Sequence, residues 1–153
     1  MRRIAYLLLA ALALSGCGVL TKENLKPTAP TLTHGRLVYL ADRACAGDLR
    51  YDRTLKPATN PETFLKNLRL SLKSAERLNF ALRGLTPPPS DSAAFRRFLA
   101  AENGQDLVAT HLRDSYGDMT VREFKRDVRR IRILDRRVQA RARRLGMHVC
   151  AKD

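Results

Sequence analysis

The sequence predicts an all-α fold, an antiparallel up-down four-helix bundle, and three observations carry that expectation. Apolar residues recur at every third or fourth position through four long segments, the period of a helix with one buried face. Those segments are separated by short runs of proline, glycine and cap-forming residues, which start and stop helices and make neighbours run antiparallel. No stretch of useful length alternates apolar and polar residues as a half-buried strand does.

The first helix is expected over about Arg36 to Arg53, with Val38, Ala41, Cys45 and Leu49 on one face. Pro57 and Pro61 punctuate the connector after it, and Thr59-Asn60-Pro61-Glu62 supplies a cap, an early proline and a capping-box acid for the second helix. That helix, about Pro61 to Arg83, repeats Phe64, Leu68, Ala75, Leu78 and Leu82 on a stripe widened by Leu65 and Leu72, with Ser71 its polar member. Gly84 fits a glycine stop, and Pro87-Pro88-Pro89 makes a connector no helix crosses.

Ser90, Asp91 and Ser92 are candidate caps for the third helix, whose face reads Ala94, Phe98, Ala101, Gln105, Val108, Leu112. Gly104 is its weak point, where a helix loses about 1 kcal/mol relative to alanine; the stripe keeps phase across it, so whether the helix is continuous there is left open. Tyr116-Gly117-Asp118 turns the chain, and Thr120-Val121-Arg122-Glu123 reads as a second capping box. The fourth helix has the most regular stripe: Val121, Phe124, Val128, Ile131, Asp135, Val138, Ala142 and Leu145, ended by Gly146. Asp135 breaks the stripe and is expected to pair with Lys73 or Arg77 of a facing helix, fixing register.

Ahead of the bundle, Arg2 and Arg3 precede an unbroken apolar run from Ile4 to Leu14, followed by Ser15, Gly16 and Cys17. This is the layout of a signal peptide. Its 11 apolar residues fall short of the roughly 20 that a membrane-crossing helix needs. The exit sequence Leu14-Ser15-Gly16-Cys17 resembles the lipobox of bacterial lipoproteins at all four positions. The resemblance implies diacylglycerol on the Cys17 thiol, cleavage before it, and, in many bacteria, a further amide-linked acyl chain that secures the anchor. With Gly18 rather than Asp after the anchor, it also implies outer-membrane delivery where the host has one. The alternative is a soluble secreted protein cleaved near Ala13 or Gly18.

The expected organisation is therefore a lipoprotein signal peptide at residues 1–16, a lipidated flexible tether at 17–35 and a helical domain at 36–153. Residues 18–35 hold two prolines and four threonines without a sustained period, and as a flexible chain they span a root-mean-square distance of about 20 to 25 Å. The predicted site is the outer face of a bacterial membrane. Lipidation of Cys17 leaves Cys45 and Cys150 as an even pair in an oxidising compartment, and a Cys45–Cys150 disulfide is expected. In an up-down bundle the fourth helix ends beside the start of the first, so the short tail from Gly146 reaches Cys45, in agreement with that pairing. A metal site built from these thiols with His148 needs reduced cysteines and more ligands than the sequence offers.

The chain carries 29 basic and 15 acidic residues, a net charge of +14. Removing Arg2 and Arg3 with the leader leaves +12, with arginine outnumbering lysine 22 to 7 in the whole chain. Such an excess suits phosphate-rich partners, but export takes nucleic acid out of reach. The acceptors left are anionic lipid, an acidic envelope polymer or an acidic envelope protein. Helix four concentrates the charge, with 11 bases against 3 acids. Arg122, Arg126, Arg129, Arg130, Arg136 and Arg137 are the candidate anionic-surface residues, although charge runs are commonly no more than solvated faces.

His34, His111 and His148 are scattered, and the sequence holds no nucleophile elbow, phosphate loop, haem site or calcium loop, so no cofactor or metal is expected. The sequence favours a binding or structural module over an enzyme. The alternative, a small-ligand carrier or an enzyme with its site in the bundle core, requires a deep polar pocket beside His111 or Asp135.

Tyr39-Leu40-Ala41-Asp42-Arg43-Ala44-Cys45, Leu85-Thr86-Pro87-Pro88-Pro89 and Arg144-Leu145-Gly146-Met147-His148-Val149-Cys150 together resemble a group of small, exported, all-helical proteins of GC-rich bacteria. The likeness covers most of the chain after the leader. It implies the helical fold and the cysteine pair and no activity.

Overall fold

The computed structural model of the protein describes residues 30–152. These form four helices and no strand: α1 His34–Asp52, α2 Pro61–Arg83, α3 Pro89–Ser115 and α4 Val121–Arg144. Each consecutive pair of helices packs together, α3 against α4 most extensively. At one end, Leu32 N–H donates to Thr86 O and His34 meets Asp91 at 2.7 Å. At the other, Phe64, Tyr116 and Phe124 meet ring to ring. These contacts set the starts of α1 and α3 beside the ends of α2 and α4, as an up-down order requires. The expected leader and Cys17 lie outside the described residues, as does the tether up to residue 29.

The first end holds the dry core. Leu37, Ala41, Leu82, Phe98, Ala142 and Met147 have no exposed surface, and Phe95, Leu145, Val138 and Ala101 are nearly as buried. Cys45 and Cys150 are bonded there, with Cα atoms 5.2 Å apart, joining the middle of α1 to the tail. Asp42, one turn before Cys45, accepts from the backbone N–H groups of His148 (2.9 Å), Val149 (2.8 Å) and Cys150 (3.1 Å). One carboxylate thus satisfies three amides of a segment that has no helix to satisfy them.

The helix ends explain themselves locally. Asn60 and Thr63 form a reciprocal capping box for α2, with Thr63 in the role expected of Glu62. Thr120 and Glu123 do the same for α4. α3 begins a turn earlier than its candidate caps, at Pro89 with Pro88 as cap, because proline at the first helical position sacrifices no hydrogen bond and is already set to helical φ. Gly84 is right-handed at φ −72°, so α2 stops at the prolines rather than at a left-handed glycine. Gly146 does adopt φ +75°: its N–H reaches Arg143 O, and Met147 N–H reaches Ala142 O, the Schellman arrangement with a buried hydrophobic residue behind it.

The continuity of α3 at Gly104, left open by the sequence, is settled: the helix runs unbroken through it, since the stripe keeps phase there and packing outweighs the small propensity loss. One expectation is corrected. α1 starts at His34, inside the segment assigned to the tether, because Thr33 accepts from Arg36 N–H as its cap.

Candidate anionic-surface site on helix four

α4 is fixed at both ends by its capping box and its glycine turn, and along its length by the residues it buries: Val138 and Ala142 fully or nearly so, Phe124, Val128 and Ile131 by half. Because one face is committed to the core, the opposite face is committed to water. Arg122, Arg126, Arg129, Arg130, Arg136 and Arg137 are all exposed. At about 100° per residue they fall within roughly 120° of arc, so the six guanidinium groups share one side of the helix. Ile133 lies in the middle of that arc and is 38 % exposed, an apolar side chain set among arginines.

Few acids answer this charge. Of the six, Arg126 alone has an acidic partner among the described residues, Asp127 at 3.2 Å. Glu123 is occupied by its cap: hydrogen bonds from the Thr120 backbone and hydroxyl hold it below the usual carboxylate range. Arg141, off the main arc, donates to Arg97 O, and Arg143 to Ala151 O at 3.4 Å. The helix therefore displays its positive charge instead of neutralising it internally.

Arg77, one of the two bases expected beside Asp135, is engaged elsewhere: its Nε donates to Lys73 O and its guanidinium lies over the Tyr51 ring, 5.4 Å from the centroid. Asp135 accepts from Gln139 Nε2 at 2.9 Å and belongs to an acidic group with Asp48, Glu102 and Asp106. Burial, then the charges of Asp106, Asp48 and Asp135, pushes Glu102 up to about 7. Burial and Asp48 push Asp106 to about 6, against the opposing pull of Arg83 and a hydrogen bond from Asn79. This group was not legible in the sequence; the nearest signal was Asn79 following Leu78 at the buried edge of the α2 stripe.

His111 sits at the α3–α4 contact with Ser115 Oγ 3.3 Å from Nδ1 and the buried Asp127 Oδ2 3.6 Å from Nε2. The order serine, histidine, aspartate resembles a nucleophilic relay, but the His–Asp separation exceeds a hydrogen bond. The serine also closes α3, where exposed helix carbonyls disfavour a developing oxyanion. Grooves are found at the start of α4, between α2 and α3, between α1 and α2, and beside Tyr116. No three His, Cys, Asp or Glu side chains among the described residues are placed to hold one metal ion.

Compared with protein-family models, curated proteins and solved structures, the chain matches none. Among the described residues, no helix is long and apolar enough to cross a membrane.

Proposed function

We propose that this chain is a bacterial envelope lipoprotein, anchored through lipid on Cys17 after loss of residues 1–16. Its domain lays the arginine face of α4 on an anionic lipid surface. The observation that carries this reading is the arc of six exposed arginines with one acidic partner and Ile133 at its centre. Headgroup phosphates attract such a face by about 1 kcal/mol per basic residue near the surface, and an apolar side chain among the charges adds contact that a purely polar polymer does not reward. The two or three chains expected on Cys17 already secure the anchor, so the arginine face governs how the domain lies on the surface rather than whether it stays there.

The test is cosedimentation of the full chain carrying Cys17→Ser with neutral and anionic vesicles. Preference for anionic vesicles that fades with added salt is expected, and Arg129→Gln with Arg136→Gln should weaken it by about 30-fold, from roughly 2 kcal/mol of lost attraction. Equal indifference to both vesicle types sinks the lipid reading, and binding retained only by an acidic polysaccharide reassigns the face to an envelope polymer.

A further inference from the structure

Polar residues face each other across the contact of α2 with α3, one opposed pair per helical turn. Arg83 donates to Asn103 Oδ1 at 2.8 Å, and a turn earlier on α2 the buried Asn79 donates Nδ2 to Asp106 Oδ2. Those two pairs are bridged. One and two turns further in the same register stand Glu76 with Thr110 and Lys73 with Arg113, and all four line the groove between the helices. These pairs are open. Among the described residues the side chains of Glu76, Lys73 and Thr110 make no hydrogen bond or ion pair, while Arg113 turns to its own neighbour Asp114 at 2.7 Å.

Phe80 lines the same groove and is 83 % exposed. A ring left in water adds little to folding, because hydrophobic stabilisation follows the area removed from water. The groove holds about 720 Å³, room for an organic ligand rather than a single ion. Its charge is uneven, with Arg69, Lys73, Arg83 and Arg113 against Glu76 and Asp106.

These groups ask for a ligand that is anionic at one place, donates and accepts hydrogen bonds at others, and has an apolar face. A lipid phosphate meets the bases but offers no donor to Glu76 and no flat face to Phe80. An acidic sugar meets every group. Its carboxylate suits the ammonium of Lys73 and the guanidinium of Arg69, and its hydroxyls donate to Glu76 and pair with Thr110. The C–H face of a pyranose ring lies against an aromatic ring.

We propose that the groove between α2 and α3 binds an acidic sugar chain, with Lys73 and Arg69 on a carboxylate, Glu76 and Thr110 on hydroxyls and Phe80 against a ring. Lys73 and Phe80 are two turns apart on α2, about 10 Å, so the site spans more than one sugar unit. The inference is independent of the lipid reading, which concerns α4.

Isothermal titration of the full chain carrying Cys17→Ser with hexagalacturonate tests it, with maltohexaose as the neutral oligomer of equal length. Hexagalacturonate should bind at least about tenfold more tightly than maltohexaose. Phe80→Ala, which alters no charge and removes no buried contact, should weaken binding by about tenfold, and Lys73→Gln by about fivefold. Leu107→Ala, an exposed apolar residue outside the groove, and the pair Arg129→Gln with Arg136→Gln on α4 should each change it by less than about threefold. Absence of binding, equal affinity for maltohexaose, or an unchanged affinity in Phe80→Ala overturns the proposal. Tighter binding of a hexaglutamate peptide also overturns it and reassigns the groove to an acidic peptide.

Discussion

The two ends of the bundle are held by different means. At the end where α1 begins, four helices and the tail close around Leu37, Phe95, Phe98 and Met147, and a disulfide and the Asp42 carboxylate fasten the tail across α1. At the opposite end α1 has already stopped: its last turn lies level with Ser71 and Arg77, well inside α2. Three helices meet there through Phe64, Tyr116 and Phe124, with ring centroids 5.5 to 5.9 Å apart. Those rings are half-buried, Val121 is 69 % exposed, and Val108 and Leu112 are the buried apolar residues of that half. Where four helices converge, water is excluded completely; where three do, aromatic area substitutes for depth.

The sharpest way to break this contrast is truncation at each end. Phe98→Ala should cost about 3 to 5 kcal/mol, as for a fully buried ring, while Phe124→Ala should cost distinctly less, because its ring already touches water. Urea unfolding of both variants measures the difference, and equal costs would show the ends to be equally dense. Asp42→Ala leaves three tail amides without their acceptor and should cost about 1 to 3 kcal/mol, with hydrogen exchange quickening at His148, Val149 and Cys150 before any other site. The smallest effect is expected at the glycine turn. Gly146→Ala meets no close atom, since an added Cβ would lie 3.9 Å from His34 Nε2, so its cost is the backbone strain of φ +75°, about 1 to 2 kcal/mol. Thermal melting of that variant against wild type reads it.

Much of this architecture was legible because helix periodicity and capping chemistry are local. Pro61 to Arg83, the Thr120–Glu123 box and the Gly146 stop follow from residues within a few positions of one another. The cysteine pairing was legible from counting and topology together. Leu37 and Phe95, both at the centre of the core, lie one position away from the expected stripe residues. Each sits beside an apolar neighbour, Val38 and Ala94, and which of two adjacent residues points inward depends on the rotation of the whole helix against its partners. The acidic group was hidden for a stronger reason. Asp48, Glu102 and Asp106 look like ordinary outward charges in a one-dimensional stripe, and only the packing of α1, α2 and α3 turns them inward. Asp135 was visible as an interruption, but a stripe does not say whether the neighbour across the gap is a base or another acid. The arginine arc was visible as charge, while the centring of Ile133 within it required the turn angle of each residue.

The link between Cys45 and Cys150 also decides how the domain answers a pull. Tension applied along the segment that leads into α1 and taken up at the chain's far terminus passes from His34 to Cys45, across the sulfurs and out through the last residues. The 105 positions that separate the two cysteines carry none of that load. α2, α3 and α4 are therefore mechanically shielded, and a tug on the leading strand can peel at most the opening turns of α1 before a covalent bond stops it.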